Sequence, residues 1–573
     1  MRRIFSVYGA LCATFFSAAA VGQALADANL NDPQLQRQQE REFQLRRQLE
    51  SRPDVRLQPS LVPLTTRLPV DESPCLVIQR IALVGDMSAR FTDLIDSANR
   101  AADGSYDAIS GRCIGATGIG IAVRRMQNEL VRRGYVTTRV LTGPQDLTQG
   151  VLTVTLIPGR VRTIRLAEGT SSRATLWNAI PLHPGDLLNL RSIEQALENL
   201  KRVPSAEADI RIEPADGKDA QPGYSDVVIQ WRQKLPFRVN LYADNSGFES
   251  TGRYQSALTL SYDHALTLND LFYVSLNRSL QEQSPDSRGT NGNAVHYSLP
   301  FGYWLLGLTV SSSHYRQPIA STSGTTVYSG DSANQELKLS RILARGASSK
   351  TIAYLSTWAK QSRNFVGDLE ILVQRRQLGG WETGLTHRHV LGDATLDLNA
   401  GFRQGTSMLG RYPLLNEDVE GSTRPQILLV GALYNQPIVF AQQRLRYAVA
   451  MRAQQAWTSL LPQDRFSIGS RFSVRGFDEQ RVLSADCGWL VRNDLGWSLG
   501  GSAQEAYLGL DYGEVRGRHS EQLIGKHLAG VALGIRGGTH GLAYDLFAGR
   551  ALSAPDGFPT HGLNVGFSLS WSY

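Results

Sequence analysis

From about residue 235 to residue 573 the chain alternates apolar and polar positions in segment after segment, the period expected of strands with one greasy face. In "YQSALTLSYD", Tyr254, Leu258, Leu260 and Tyr262 stand against Gln255, Thr259, Ser261 and Asp263. In "ATLDLNAGFR", Leu396, Leu398 and Phe402 oppose Asp397, Asn399 and Arg403. In "RLRYAVAMRAQ", Leu445, Tyr447, Val449 and Met451 oppose Arg444, Arg446 and Arg452. The last stretch, "GLNVGFSLSWSY", keeps the beat: Leu563, Val565, Phe567, Leu569, Trp571 and Tyr573 share one face. A β-sandwich buries such a face and a transmembrane barrel turns it outward, so alternation alone leaves both open. Length and count favour the barrel: about sixteen segments of roughly 9–14 residues, with short and long connections in turn. The expectation is a membrane β-barrel of about 16 antiparallel strands over 235–573, in which Phe567, Trp571 and Tyr573 anchor the C-terminal strand at the lipid interface.

Upstream the texture is mixed. Residues 32 to 50, "DPQLQRQQEREFQLRRQLE", begin with Asp-Pro and are rich in helix formers, yet only Leu35, Phe43, Leu45 and Leu49 are apolar. Such a helix is content in water. Pro53, Pro59, Pro63, Pro69 and Pro74 then mark an extended linker. From Cys75 the order strand, helix, helix, strand, strand occurs twice. The first copy reads as "CLVIQRIALVG", helices at 89–103 and 118–133, "VTTRVLT" and "VLTVTLIPG"; the second as "VRTIRLAEG", helices around 172–180 and at 190–202, "ADIRIEP" and "SDVVIQWRQ". Two small α+β modules in tandem are predicted, with edge strands able to accept an extended peptide.

"MRRIFSVYGALCATFFSAAAVGQALA" has a basic start, a short apolar stretch and a small-residue exit at Ala24-Leu25-Ala26, the form of a secretory leader over residues 1–26. After it no apolar run of about 18 residues remains, so a membrane-resident mature chain has to use a closed barrel. An exported chain meets an oxidising compartment, which makes Cys75 and Cys113 a candidate disulfide worth about 3–4 kcal/mol in loop entropy; Cys487 is left over as an unreactive thiol. The net charge of +7 is spread along the chain without a basic run or a reading motif, which argues against nucleic acid as a partner.

"GWSLG", Gly496 to Gly500, matches the serine-hydrolase G-x-S-x-G, but it sits in an alternating segment with no helix behind it, so Ser498 is not expected to be a nucleophile. His387 and His389 can share a strand face, yet no further ligands accompany them, and no phosphate loop or HExxH is present. No catalytic residue, metal or cofactor is predicted. The stretches that ask for a use are "FSIGSRFSVRGFDEQ", 466–480, inside a long connection, and "YLGLDYGEV", 507–515. In the second, Asp511 shares a face with Gly509 and Gly513, opposite Leu508, Leu510 and Tyr512, which points the carboxylate into a lumen with room beside it.

Together these stretches resemble two signature motifs of the TpsB family, the outer-membrane transporters of two-partner secretion that include those of filamentous haemagglutinin and of haemolysins. "RRGYVTTRVLTGPQDLTQGVLTVTLIPG" and the two cysteines fit the same pattern, while Ser470 and Cys487 depart from it. The resemblance implies residues 27–51 as a plug helix, 52–73 as linker, 74–160 and 161–234 as periplasmic POTRA domains, and 235–573 as the barrel with an in-folded loop at 460–486. It implies that Val474, Arg475, Gly476 and Phe477 form the tip of that loop and that Arg475 meets Asp511. The implied function is nucleotide-independent secretion of an unfolded TpsA-type exoprotein across the outer membrane of a Gram-negative bacterium. Outer-membrane lipid and the barrel assembly machinery are the other implied partners. The rival expectations are a passive porin with accessory periplasmic domains and an outer-membrane insertase; two modules and a loop paired with a lumen carboxylate weigh against both.

Overall fold

The computed structural model describes residues 32–573 except 51–52, 59–60, 62–66, 217–220, 281–287, 322–323, 408–420, 479, 501–502, 519 and 561; the expected leader lies outside the described residues. Helix α1, Asp32–Leu49, leads through the segment 53–73 into two small modules. The first has helices α2, Leu94–Ala98, and α3, Ala116–Arg132, against a sheet ordered Arg80–Val84, Val151–Ile157, Arg139–Leu141. The second packs α4, Leu190–Leu200, against a sheet ordered Arg160–Leu166, Tyr224–Gln233, Ala206–Pro214. Each has its own core. Phe91, Leu94, Met126 and Leu130 lie at the centre of the first, and Ile193, Leu197, Leu200 and Trp231 at that of the second. Cys75 and Cys113 are bonded in the first module, joining two short paired strands with a Cα separation of 5.3 Å.

Three local expectations fail, each because tertiary contacts override local propensity. "CLVIQRIALVG" is two strands in different sheets, Leu76–Ile78 and Arg80–Val84, because the Gln79 and Arg80 N–H groups both turn to the Gly150 carbonyl. The helix expected at 89–103 is a single 3-10 turn followed by the short α2, after which Asn99 bonds back to the Ile95 carbonyl and on to the Ile109 N–H. No helix forms at 172–180. That segment docks on the barrel rim, where Arg173, Thr175 and Asn178 donate to the carbonyls of His264, Thr267, Leu268 and Pro300.

From Phe237–Asp244 to Asn564–Ser572, sixteen described strands pair antiparallel with their sequence neighbours and the last pairs with the first, closing a barrel. A two-residue piece, Leu369–Glu370, extends one hairpin. Several strands outrun the expected length, Gly324–Arg345 reaching 22 residues. The alternation has the sense a membrane barrel requires: Leu508, Leu510 and Tyr512 are exposed on the outside, while Gly509, Asp511 and Gly513 are buried inside. On the final strand Val565, Leu569 and Trp571 face outward, and the Trp571 ring stacks on Tyr573; Phe567 is half-buried near Tyr254. No described helix is long and apolar enough to cross a membrane.

Candidate functional site: the barrel lumen and its in-folded loop

The connection between the wall strands Gln443–Ala456 and Cys487–Ser498 turns back on itself as a small hairpin, Phe466–Ile468 against Leu483–Ala485. Between its arms the chain makes a tip, 469–482, that reaches the inner wall. Gly476 sits at a φ of 100°, and a Cβ there would lie 2.4 Å from the Arg550 carbonyl oxygen, so both its conformation and its closeness to the wall exclude a side chain. The wall is cleared to match. A Cβ on Gly509 would meet Nη2 of Arg475 at 2.3 Å, one on Gly513 the Ile468 and Val474 side chains at 2.9 and 3.0 Å, and one on Gly530 the Arg475 carbonyl oxygen at 1.8 Å.

Into this cleared strip comes Arg475, 3% exposed. Its Nε and Nη2 donate to the two carboxylate oxygens of Asp511, each at 2.7 Å, and its backbone N–H adds a third bond to Asp511 at 3.0 Å. This is the fork-to-fork geometry in which arginine and carboxylate bind most specifically. Nη2 also donates to Asp494 at 2.6 Å. The network continues along the wall: Arg536 bridges Asp494 at 3.0 Å and Glu505 at 2.8 Å, and Arg446 takes both oxygens of Glu505. Arg492 lies 3.9 Å from Asp511 and donates to the Arg471 carbonyl of the loop. The Tyr507 ring lies under both Arg475 and Arg536, with its hydroxyl on Asp545.

Apolar contacts complete the docking. Val474 and Phe477 are fully buried with Ile468, Leu483, Leu490, Val515 and Leu528, and Phe477 meets Phe558 edge to face at 5.6 Å. Asn564 donates to the Phe477 carbonyl. Thus the loop tip named from sequence, Val474 to Phe477, and the wall residues Gly509, Asp511 and Gly513 are brought together in one place. Asp494, Glu505, Arg446, Arg492, Arg536 and Phe558 were not assigned to this site from sequence; the pairing register sets Arg492 opposite Asp511, Asp494 opposite Gly509 and Arg536 opposite Glu505, while Phe558 comes from a connection outside the strands.

Inside the barrel α1 lies against both the wall and the loop. Eighteen residues span about 27 Å, close to a membrane's apolar thickness. Its contacts are polar along its length. Gln36 donates to the carbonyls of Pro462 and Arg465 in the loop, Arg37 to that of Ser246, and Glu42 accepts from Ser311 at 3.2 Å. Arg46 binds Glu336 and Thr309, each at 2.9 Å. At the module-side mouth Leu45 and Leu49 join the core that contains Leu271 and Tyr273, and there the helix is held by apolar packing.

Elsewhere, Cys487 is buried, its sulfur accepting the Ala456 N–H at 3.3 Å. Ser498 ends a wall strand and is followed across a turn by another strand, without the strand-to-helix elbow. The His387 and His389 rings stack at 5.9 Å, and no group of three or more metal-ligating side chains occurs among the described residues.

Comparison with known proteins agrees with this architecture. Residues 223–537 match the family model of haemolysin secretion/activation proteins ShlB/FhaC/HecB, 160–214 a POTRA domain, and 90–159 a POTRA domain of the ShlB type. The chain is 35% identical to the outer membrane transporter CdiB-2 of Burkholderia pseudomallei (strain 1026b), covering 96% of this chain and 94% of that one. It is 22% identical to the hemolysin transporter protein HpmB of Proteus mirabilis, covering 79% and 78%. Among solved structures, CdiB from Acinetobacter baumannii superposes with a TM-score of 0.81 at 31% identity over 95% of this chain and 99% of that one. CdiB from Escherichia coli does so with a TM-score of 0.80 at 27% identity over 94% and 98%. The chain therefore belongs to the ShlB/FhaC/HecB family of haemolysin secretion/activation proteins, outer-membrane transporters of two-partner secretion with periplasmic POTRA domains.

Proposed function

We propose that the chain receives an unfolded TpsA-type exoprotein at its POTRA domains and passes it through the barrel, without nucleotide, after α1 leaves the lumen and the loop around Arg475 moves aside. The observation that carries this reading is that both lumen fillers are held as removable parts. A core helix buries an apolar stripe, whereas α1 meets the wall through hydrogen bonds and ion pairs that water can replace. The loop is docked by the Arg475 fork together with the apolar packing of Val474 and Phe477, and the fork is the part of that docking that a single substitution removes. Passage is then a matter of lumen polarity: with charges of both signs on the inner wall, an extended chain slides without burying its backbone groups unpaired. Cargo folding outside supplies the direction, and no group of this chain makes or breaks a covalent bond.

The test is the amount of a co-expressed TpsA-type exoprotein that reaches the medium with the chain intact, absent, or carrying Arg475→Ala. Loss in both altered strains, with the variant barrel inserted and folded, is the expected result. Equal export in all three contradicts the proposal.

A further inference from the structure

Residues 53–58 do not hang free between α1 and the first POTRA domain. They lie extended along α4 of the second, and the contacts have a repeating register. The Val55 N–H donates to Glu198 at 3.1 Å and the Leu57 N–H to Glu194 at 2.8 Å. Two residues of extended chain advance about 6.6 Å and four residues of helix about 6 Å, so alternate N–H groups of a strand running antiparallel to α4 meet carboxylates one helical turn apart. The side chains of Val55 and Leu57 pack on the domain core. The Val55 carbonyl accepts from Arg345, at the end of the wall strand Gly324–Arg345, at 2.6 Å.

The carboxylates are set in place by other groups. Arg345 binds Glu194 at 3.1 Å and Glu198 at 2.8 Å, and Lys350 binds Glu198 at 3.0 Å; both arginine and glutamates are nearly fully buried. Arg191 also pairs with Glu194, and Asp54 of the linker adds a carboxylate beside Lys350 and Arg388. What the site reads is generic: a pair of backbone N–H groups two residues apart and an apolar side chain at the same two positions. Pro53, which lacks an N–H, precedes the segment at the next position of that register.

We infer that the groove along α4 is a binding site for an extended polypeptide with apolar residues at alternate positions, and that residues 53–58 fill it as a stand-in until an incoming exoprotein segment replaces them. This rests on the secretion reading above. Replacement takes the Val55 carbonyl from Arg345 and so frees the tether that follows α1, which links arrival of cargo at the domain to release of the helix.

The probe is a fluorescein-labelled peptide of residues 53–58, PDVRLQ, titrated by fluorescence anisotropy against the full-length chain in detergent. In the wild type the tethered linker outcompetes it. In a V55P/L57P chain, whose linker has lost both donors, the peptide is expected to bind about ten-fold tighter or more. A probe carrying the same two prolines is expected not to bind that chain. A V55G/L57G chain, which keeps the donors but loses the apolar side chains, opens the groove more gently and is expected to give the same order of affinities. No gain in either opened chain, or equal binding of the two probes, overturns the inference. Export by the Arg475→Ala strain is read separately, so a negative result here with export still dependent on Arg475 removes the groove and leaves the transporter reading intact.

Discussion

At the scale of single residues, the lumen shows why glycine and charge are placed as they are. Arg475→Ala leaves Asp511 and Asp494 buried with the cation between them gone, a change expected to cost about 3–5 kcal/mol of loop docking. The barrel ladders remain, so the expected outcome is faster hydrogen exchange over 469–482 with unchanged exchange in the wall strands. Arg475→Lys keeps the charge but not the fork, and is expected to fall between the wild type and alanine in the same measurement. Gly509→Ala places a methyl where Nη2 of Arg475 lies and is expected to loosen the loop without removing any charge, again seen as exchange confined to the tip. Asp511 was legible from sequence because a strand has a period of two and its neighbours 509 and 513 are glycine. Asp494, Glu505 and Arg536 were not, because they lie on three different strands and their convergence depends on pairing register, which alternation does not encode.

At the scale of elements, the folded parts respond to different conditions. In the second POTRA domain Asp226 is bonded by Arg162 and Thr163 and its carboxyl is held down at about 2, with Arg162 the main cause. An unfolded aspartate titrates near 3.9, so the stabilisation is complete above about pH 5 and is lost as pH falls through about 4 towards 2. Following the amide signals of Tyr224–Gln233 by NMR over that range should show the loss, and Asp226→Asn should remove the pH dependence between those limits. In the first POTRA domain, Cys75 and Cys113 are 38 residues apart, and loop entropy puts the loss on replacing both by serine at about 4 kcal/mol. A lower melting temperature of that domain, with the second unaffected, is the expected result by calorimetry. The helices α3 and α4 were legible because each carries an apolar stripe at helical spacing; the helix expected at 172–180 was not real because that segment is held to the barrel rim by Arg173, Thr175 and Asn178.

At the scale of the whole molecule, the order of helix, linker, two modules and barrel follows from changes in hydrophobic period along the chain. The spatial relations do not. The polarity of α1 predicts only that it tolerates water, and its expectation as a plug came from the family resemblance; its contacts with Ser246, Ser311 and Glu336 on the wall and Pro462 on the loop are three-dimensional facts. The linker likewise reads as a free spacer from its prolines, yet its backbone is bound to α4. The molecule is closed by two parts that contact each other, Gln36 of α1 donating to the loop carbonyls, so release of one weakens the hold on the other.

On the proposed reading, cargo passes through the space in which α1 now lies. The most direct measurement is export with that helix fixed in place. In a Cys487→Ser background, Glu42→Cys and Ser311→Cys put thiols at two positions whose native side chains meet at 3.2 Å, and because a cysteine at 42 is shorter than the glutamate, a bis-maleimide with a reducible disulfide spacer bridges them and ties α1 to the wall. Export of a co-expressed exoprotein is expected to stop when the cross-link is complete and to return when it is reduced. Undiminished export through a fully cross-linked barrel would contradict that reading.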